Sequence, residues 1–150
     1  MINKNYMQVK FKAISANESL ARAVVSAFAL DLNPTLEEIN DIKTAVSEAV
    51  TNCVVHAYPG EEKGEVELIC KIENQTLFVE ILDFGVGIEN YAKVKEPFYT
   101  TKPDQERSGM GFAVMESFMD TVTVEANGEQ GVRVCMSKVI GAESVEAVCE

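Results

Sequence analysis

Paired cysteines are missing from this sequence. Cys53, Cys70, Cys135 and Cys149 lie far apart and none belongs to a C-x-x-C pair, which argues against a zinc site. Three of them fall in apolar periodic segments and read as small core hydrophobes. Positive charge is also scarce. Thirteen Lys and Arg stand against 24 Asp and Glu, for a formal charge of −11. Such a surface repels nucleic-acid phosphates and anionic lipids. It favours basic protein partners or a small ligand held in a local pocket. No N-terminal apolar run resembles a signal peptide, and no stretch approaches the ~20 apolar residues of a membrane span. These absences point to a reduced, cytoplasmic protein that binds neither nucleic acid nor membrane directly.

What is present suits one domain over residues 1–150, with 47% hydrophobic and 25% charged residues. Roughly 68–70% of the unfolded surface of such a chain can be buried, so no metal or disulfide staple is needed. Alternation predicts a strand over Met7–Ile14. Ser15 or Asn17 can cap a helix from about Glu18 to Leu30, with Leu20, Ala21, Val24, Val25 and Phe28 on its inner face. After Asn33-Pro34, Thr35 and Glu38 form a capping box. It opens a long helix from about Leu36 to His56, with an apolar stripe of Ile39, Ile42, Val46, Ala49, Val50 and Cys53. Tyr58-Pro59-Gly60 ends that helix. Strands follow at Glu65–Glu73 and Thr76–Asp83, then at Thr121–Ala126 and Val132–Val139, with a helix from about Met110 to Met119 between the pairs. The last eleven residues read as an acidic tail. The fold class is α+β: a two-layer sandwich of a mixed, mostly antiparallel sheet with three helices on one face.

Three clusters carry chemistry. Glu48, Asn52 and His56 are spaced four apart on the long helix, so they share one face, each ~6 Å further along the axis. A carboxylate beside a carboxamide oxygen suits Mg²⁺, which takes oxygen ligands and shares itself with substrate phosphates. Taken alone, this is also the pattern of a solvated helix face, and His56 reads as a C-terminal helix cap. Asp83, Gly85 and Gly87 follow an apolar strand. A strand-end acceptor can receive an exocyclic amino group such as adenine's, and glycines admit a flat base. An Asx turn is the alternative. Ser108-Gly109-Met110-Gly111 opens a helix, where glycine-freed N–H groups make an anion site or a plain loop-to-helix junction. The segment before it is long for a connection and carries Thr100, Thr101, Lys102 and Arg107, which suit phosphate. It reads as a lid from about Lys93 to Ser108.

Asp83-Phe84-Gly85 also spells the D-F-G of protein kinases, but their glycine-rich loop, strand lysine and H-R-D loop are absent. Neither G-x-G has the third glycine of a Rossmann fingerprint, and no P-loop occurs. The joint order is more telling: E-x-x-x-N on a helix, D-x-G-x-G after a strand, a lid, then G-x-G before a helix. In that order and spacing the chain resembles the GHKL ATP-binding fold, also called Bergerat, of gyrase B, histidine kinases and MutL. More closely, Ser47-Glu48-Ala49-Val50-Thr51-Asn52, Thr100-Thr101-Lys102-Pro103 and Glu106–Phe112 are similar to the anti-sigma F family of endospore-forming bacteria, serine kinases of that fold.

That resemblance implies a homodimeric, ATP-dependent protein serine kinase that holds sporulation sigma factor F. It also phosphorylates a serine of an anti-anti-sigma partner. It implies Glu48 as general base, Asn52 as Mg²⁺ ligand, and Asp83 at the adenine amino group with Gly85 and Gly87 beside the ring. Thr100, Thr101, Lys102, Arg107, Ser108, Gly109, Met110 and Gly111 would surround the phosphates, with Arg107 stabilising transferred charge. It further implies Arg22 as a partner contact, on the side of its helix away from the apolar face. Three alternatives stand beside it. One is an ATP-gated module without kinase activity, which would need no base at Glu48. A related kinase of a stress sigma factor is the second. The third is a histidine-kinase catalytic domain, which would normally be joined to a segment bearing a phosphoacceptor histidine.

Overall fold

The computed structural model describes residues 4–60, 62–88 and 111–141. Its elements in chain order are β1 (Lys4–Lys12), α1 (Ala16–Ala29), a 3₁₀ turn (Leu30–Leu32), α2 (Leu36–Asn52), a π turn (Cys53–Ala57), β2 (Glu65–Glu73), β3 (Thr76–Asp83), α3 (Gly111–Phe118), β4 (Thr121–Ala126) and β5 (Val132–Val139). The sheet order is β1-β2-β3-β5-β4. A mixed sheet was an expectation; among the described residues all four pairings are antiparallel.

Alternation explains the two layers. In β2, Val66, Leu68, Cys70 and Ile72 point into the core, and in β3 so do Leu77, Val79 and Ile81. Intervening residues such as Glu67, Lys71, Phe78 and Glu80 point to the other face. The inward side meets Ile42, Ala45, Val46, Ala49 and Val50 of α2 and Ala21, Val25 and Ala29 of α1. Cys70 is fully buried there, and burial pushes its thiol up to about 12, so it stays protonated as a core hydrophobe.

Three expectations need correction. Strand β1 starts at Lys4, three residues before the expected Met7, because β2 offers a partner along its whole length, from Lys12 opposite Glu65 to Lys4 opposite Glu73. On α1, Ala21, Val25 and Ala29 are buried and Val24 and Phe28 pack against the core as expected, whereas Leu20 is 43% exposed. Small residues let α1 lie close to its neighbours, and a leucine one position off the stripe is left outside. The tail begins later than expected. Ile140 is buried, its N–H donates to the Gln75 carbonyl, and the Gly141 N–H donates to Glu38 Oε2. Residues 142–150 lie outside the described residues.

The capping box at Thr35 is present in both directions: Thr35 Oγ1 accepts from the Glu38 N–H, and Glu38 Oε1 accepts from the Thr35 N–H. It fixes where the seventeen-residue α2 starts, and so which residues its inner face carries. The expected continuation to His56 occurs in a wider form, since Cys53–Ala57 winds as a π turn. Such turns are often found at functional sites. No helix among the described residues is long and apolar enough to cross a membrane.

Candidate functional site

The C-terminal half of α2 meets the start of α3 at one point. A Cβ built on Gly111 would stand 3.4 Å from Glu48 Oε2, 3.4 Å from Asn52 Nδ2 and 3.5 Å from Asn52 Oδ1. Helical spacing thus brings the two α2 side chains together as the sequence suggested, and a glycine lets the α3 backbone come up to both. Asn52 Nδ2 is buried with no hydrogen-bond partner among the described residues. An unpaired buried donor costs about 1–3 kcal/mol, and in native proteins such a group marks strain, a catalytic role or a bound water or ion. A carboxylate and a carboxamide around one small space also fit the oxygen chemistry of Mg²⁺. His56 lies in the π turn, half-buried.

Asp83 is the buried charged residue of the described chain, at 3% exposure. One step past the last ladder pair, Leu82 with Arg133, its Oδ1 accepts from the N–H groups of Gly85 and Val132, both at 3.1 Å. The bond to Gly85 is an Asx turn. Burial pushes the carboxyl above its ordinary range, while those two N–H groups and the Cys53 thiol pull it back. The same burial, then the Asp83 charge, pushes the Cys53 thiol well up.

Glycine at 85 has a backbone reason. Its Cβ would lie 2.0 Å from the Ala57 carbonyl oxygen, which already accepts from the Val86 N–H at 2.9 Å. The D-x-G-x-G turn is therefore fastened to the π turn of α2. Gly87 has φ +78°, open to glycine at little cost.

Several residues of this architecture escaped the sequence reading. Tyr58 closes the turn from the other side: its hydroxyl donates to the Glu65 carbonyl at 2.7 Å and accepts from the Phe84 N–H at 2.8 Å. The β4–β5 hairpin seats the Asp83 backbone. Asn127 Nδ2 donates to the Asp83 carbonyl at 2.8 Å, and Gly131, at φ +100°, leaves room for it. Asn127 and Gly128 read only as a turn, because their approach to β3 depends on strand order. Arg22 is half-buried and does not simply point away. It donates to Ser47 Oγ on α2 and to Ser19 Oγ, each at 2.9 Å. Thr100, Thr101, Lys102, Arg107, Ser108, Gly109, Met110 and the expected lid lie outside the described residues.

Asp83→Asn should separate stability from binding. A raised carboxyl pKa in the folded state means the protonated form suits the fold. That contribution is fully present below the unfolded-state value and is lost as pH rises through the raised folded value. The neutral amide escapes this loss. Urea unfolding across that window should show the nucleotide-free variant gaining stability relative to wild type as pH rises, while ATP affinity falls. A gap that does not change with pH would remove the burial cost from Asp83.

The histidine kinase-like ATPase domain family matches residues 11–138. The chain is 55% identical over 136 residues to an anti-sigma F factor of Clostridium acetobutylicum, covering 90% of this chain and 94% of that one. It is 50% identical over 137 residues to one of Caldanaerobacter subterraneus, covering 91% and 95%. To one of Bacillus licheniformis it is 44% identical over 135 residues, covering 90% and 92%. Among solved structures, the RsbU and RsbW domains of Rv1364c from Mycobacterium tuberculosis superpose with a TM-score of 0.64 at 15% identity. That match covers 91% of this chain and 32% of the other, so it speaks to the fold alone.

Proposed function

The chain belongs to the anti-sigma F family of histidine kinase-like ATPase domains, and on that basis we propose that it is a cytoplasmic, single-domain, homodimeric protein serine kinase. It binds ATP with Mg²⁺, holds sigma factor F, and phosphorylates a serine of an anti-anti-sigma protein. The observation that carries this reading is the convergence of Glu48 and Asn52 on Gly111. With Asn52 taken as the Mg²⁺ ligand, Glu48 beside it is available as the base that an ATP-gated module would not require.

In this reading Asp83 takes the adenine amino group, beside Gly85 and Gly87. Asn52 holds Mg²⁺, and its Nδ2, without a partner among the described residues, is left to donate to a ligand oxygen. Bound Mg²⁺ would neutralise phosphate charge. Thr100, Thr101, Lys102, Arg107, Ser108, Gly109, Met110 and Gly111 line the phosphates. Glu48 accepts the serine hydroxyl proton as that oxygen bonds to the γ-phosphorus and the bond to the β-γ bridging oxygen breaks, releasing ADP. Arg22 contacts the protein partners with the donors it does not spend on Ser19 and Ser47.

The test is incubation with γ-labelled ATP, Mg²⁺ and the anti-anti-sigma protein of the same genome. Label on a serine of that protein, together with ATP-dependent retention of sigma factor F, is the expected result. Retention without label would reduce the protein to an ATP-gated binding module.

A further inference from the structure

We propose that Glu18 and Thr51 form a positioning pair that sets the turn of α2, and through it the placing of Asn52. The inference rests on the reading of Asn52 as the Mg²⁺ ligand. The Thr51 hydroxyl shares its one proton between Glu18 Oε1, across the α1–α2 contact and partly out of water, and the Ser47 carbonyl oxygen of its own helix, each at 2.8 Å. One helical turn earlier, Arg22 donates to Ser47 Oγ at 2.9 Å. Glu18 and Arg22 are four apart on α1, and Ser47 and Thr51 are four apart on α2, so the two bonds are successive rungs of one ladder.

Each rung ends one residue before a site residue: Ser47 before Glu48, Thr51 before Asn52. Neighbouring helical residues differ by about 100° around the axis. A helix held by its 47/51 edge therefore presents its 48/52 edge in a fixed direction, toward Gly111 of α3. The rest of the α1–α2 contact cannot supply this. The buried residues of the two helices, Ala21, Val25 and Ala29 on α1 and Ile42, Ala45, Val46, Ala49 and Val50 on α2, are apolar. Apolar burial is non-directional, whereas a hydrogen bond weakens steeply with angle. The ladder therefore adds a directional limit on rotation of α2 to the non-directional apolar packing.

Removing a group that orients a metal ligand typically costs about 10–100-fold in metal affinity or activity. The test compares Thr51→Val, which keeps the shape and loses the hydroxyl, with Thr51→Ser, which keeps the hydroxyl. Affinity for a non-hydrolysable ATP analogue is titrated with Mg²⁺ and in chelator, alongside the Tm of each variant. Thr51→Val should lose about tenfold of the enhancement that Mg²⁺ gives, with its affinity in chelator unchanged. Thr51→Ser should keep that enhancement. Glu18→Ala, which removes the acceptor, should behave like Thr51→Val.

An enhancement in Thr51→Val equal to wild type would overturn the pair. So would an equal loss with and without Mg²⁺, since that is the mark of a merely structural contact. A wild-type protein whose affinity ignores Mg²⁺ would overturn the Asn52 reading and, with it, anything positioned for it. Absence of phosphotransfer would count against the kinase alone and leave the affinity comparison intact.

Discussion

Glu48→Gln should bind ATP as wild type does and lose about 10²–10⁴-fold of its phosphotransfer rate, the usual contribution of a positioned base. The amide has the size of the carboxylate and keeps an oxygen near Gly111, where Glu48 Oε2 stands 3.4 Å from the Cβ position. It cannot accept the serine proton at neutral pH. If Glu48 is the base, ground-state contacts to nucleotide survive and acceptance of the serine proton does not. The loss therefore falls on kcat, with KM for ATP nearly unchanged. Parallel measurement of nucleotide affinity and partner phosphorylation checks this. A variant phosphorylating at near wild-type rate would remove Glu48 from the chemistry.

Gly85→Ala should strongly damage both stability and nucleotide binding. The added carbon would lie 2.0 Å from the Ala57 carbonyl oxygen and 2.5 Å from its carbon. Both are backbone atoms, so no side chain can rotate aside. The turn must lift away from the π turn, breaking the Val86 N–H to Ala57 bond and carrying Asp83 with it. Overpacking of this kind costs about 1–3 kcal/mol and more where the backbone must move. We expect about 3 kcal/mol of lost stability and ATP affinity reduced beyond tenfold. Gly60→Ala is the control, since nothing stands within 4 Å of its Cβ, and it should change stability by less than about 0.5 kcal/mol. Denaturant unfolding and calorimetry with ATP read both effects. Equal stability of the two variants would mean that the clasp at Ala57 yields.

Much of this architecture is legible in the chain because its signals are local. Strands β2 to β5 carry clean alternation between turn residues, and their observed limits coincide with the expected ones. The capping box sets α2 in the same way, and helical spacing alone puts Glu48 and Asn52 on one face. Contacts between segments distant in sequence were not legible. Gly85 could be read as room for a base, but the Ala57 carbonyl on its bare side comes from a π turn that no periodicity announces. The half-buried Arg22 looked solvated because helical spacing says only that it leaves the apolar stripe. It does not say that Ser47 waits on the adjoining helix. Asn127 and Gly131 likewise depend on β5 lying next to β3.

The most direct test is a crystal structure with Mg²⁺ and a non-hydrolysable ATP analogue. The adenine amino group should lie within hydrogen-bonding distance of the Asp83 carboxylate. Mg²⁺ should be bound through the Asn52 oxygen, with Glu48 facing the γ-phosphate. A nucleotide bound elsewhere, or an Asp83 carboxylate still bonded only to Gly85, Val132 and Cys53, would contradict the assignment of this site.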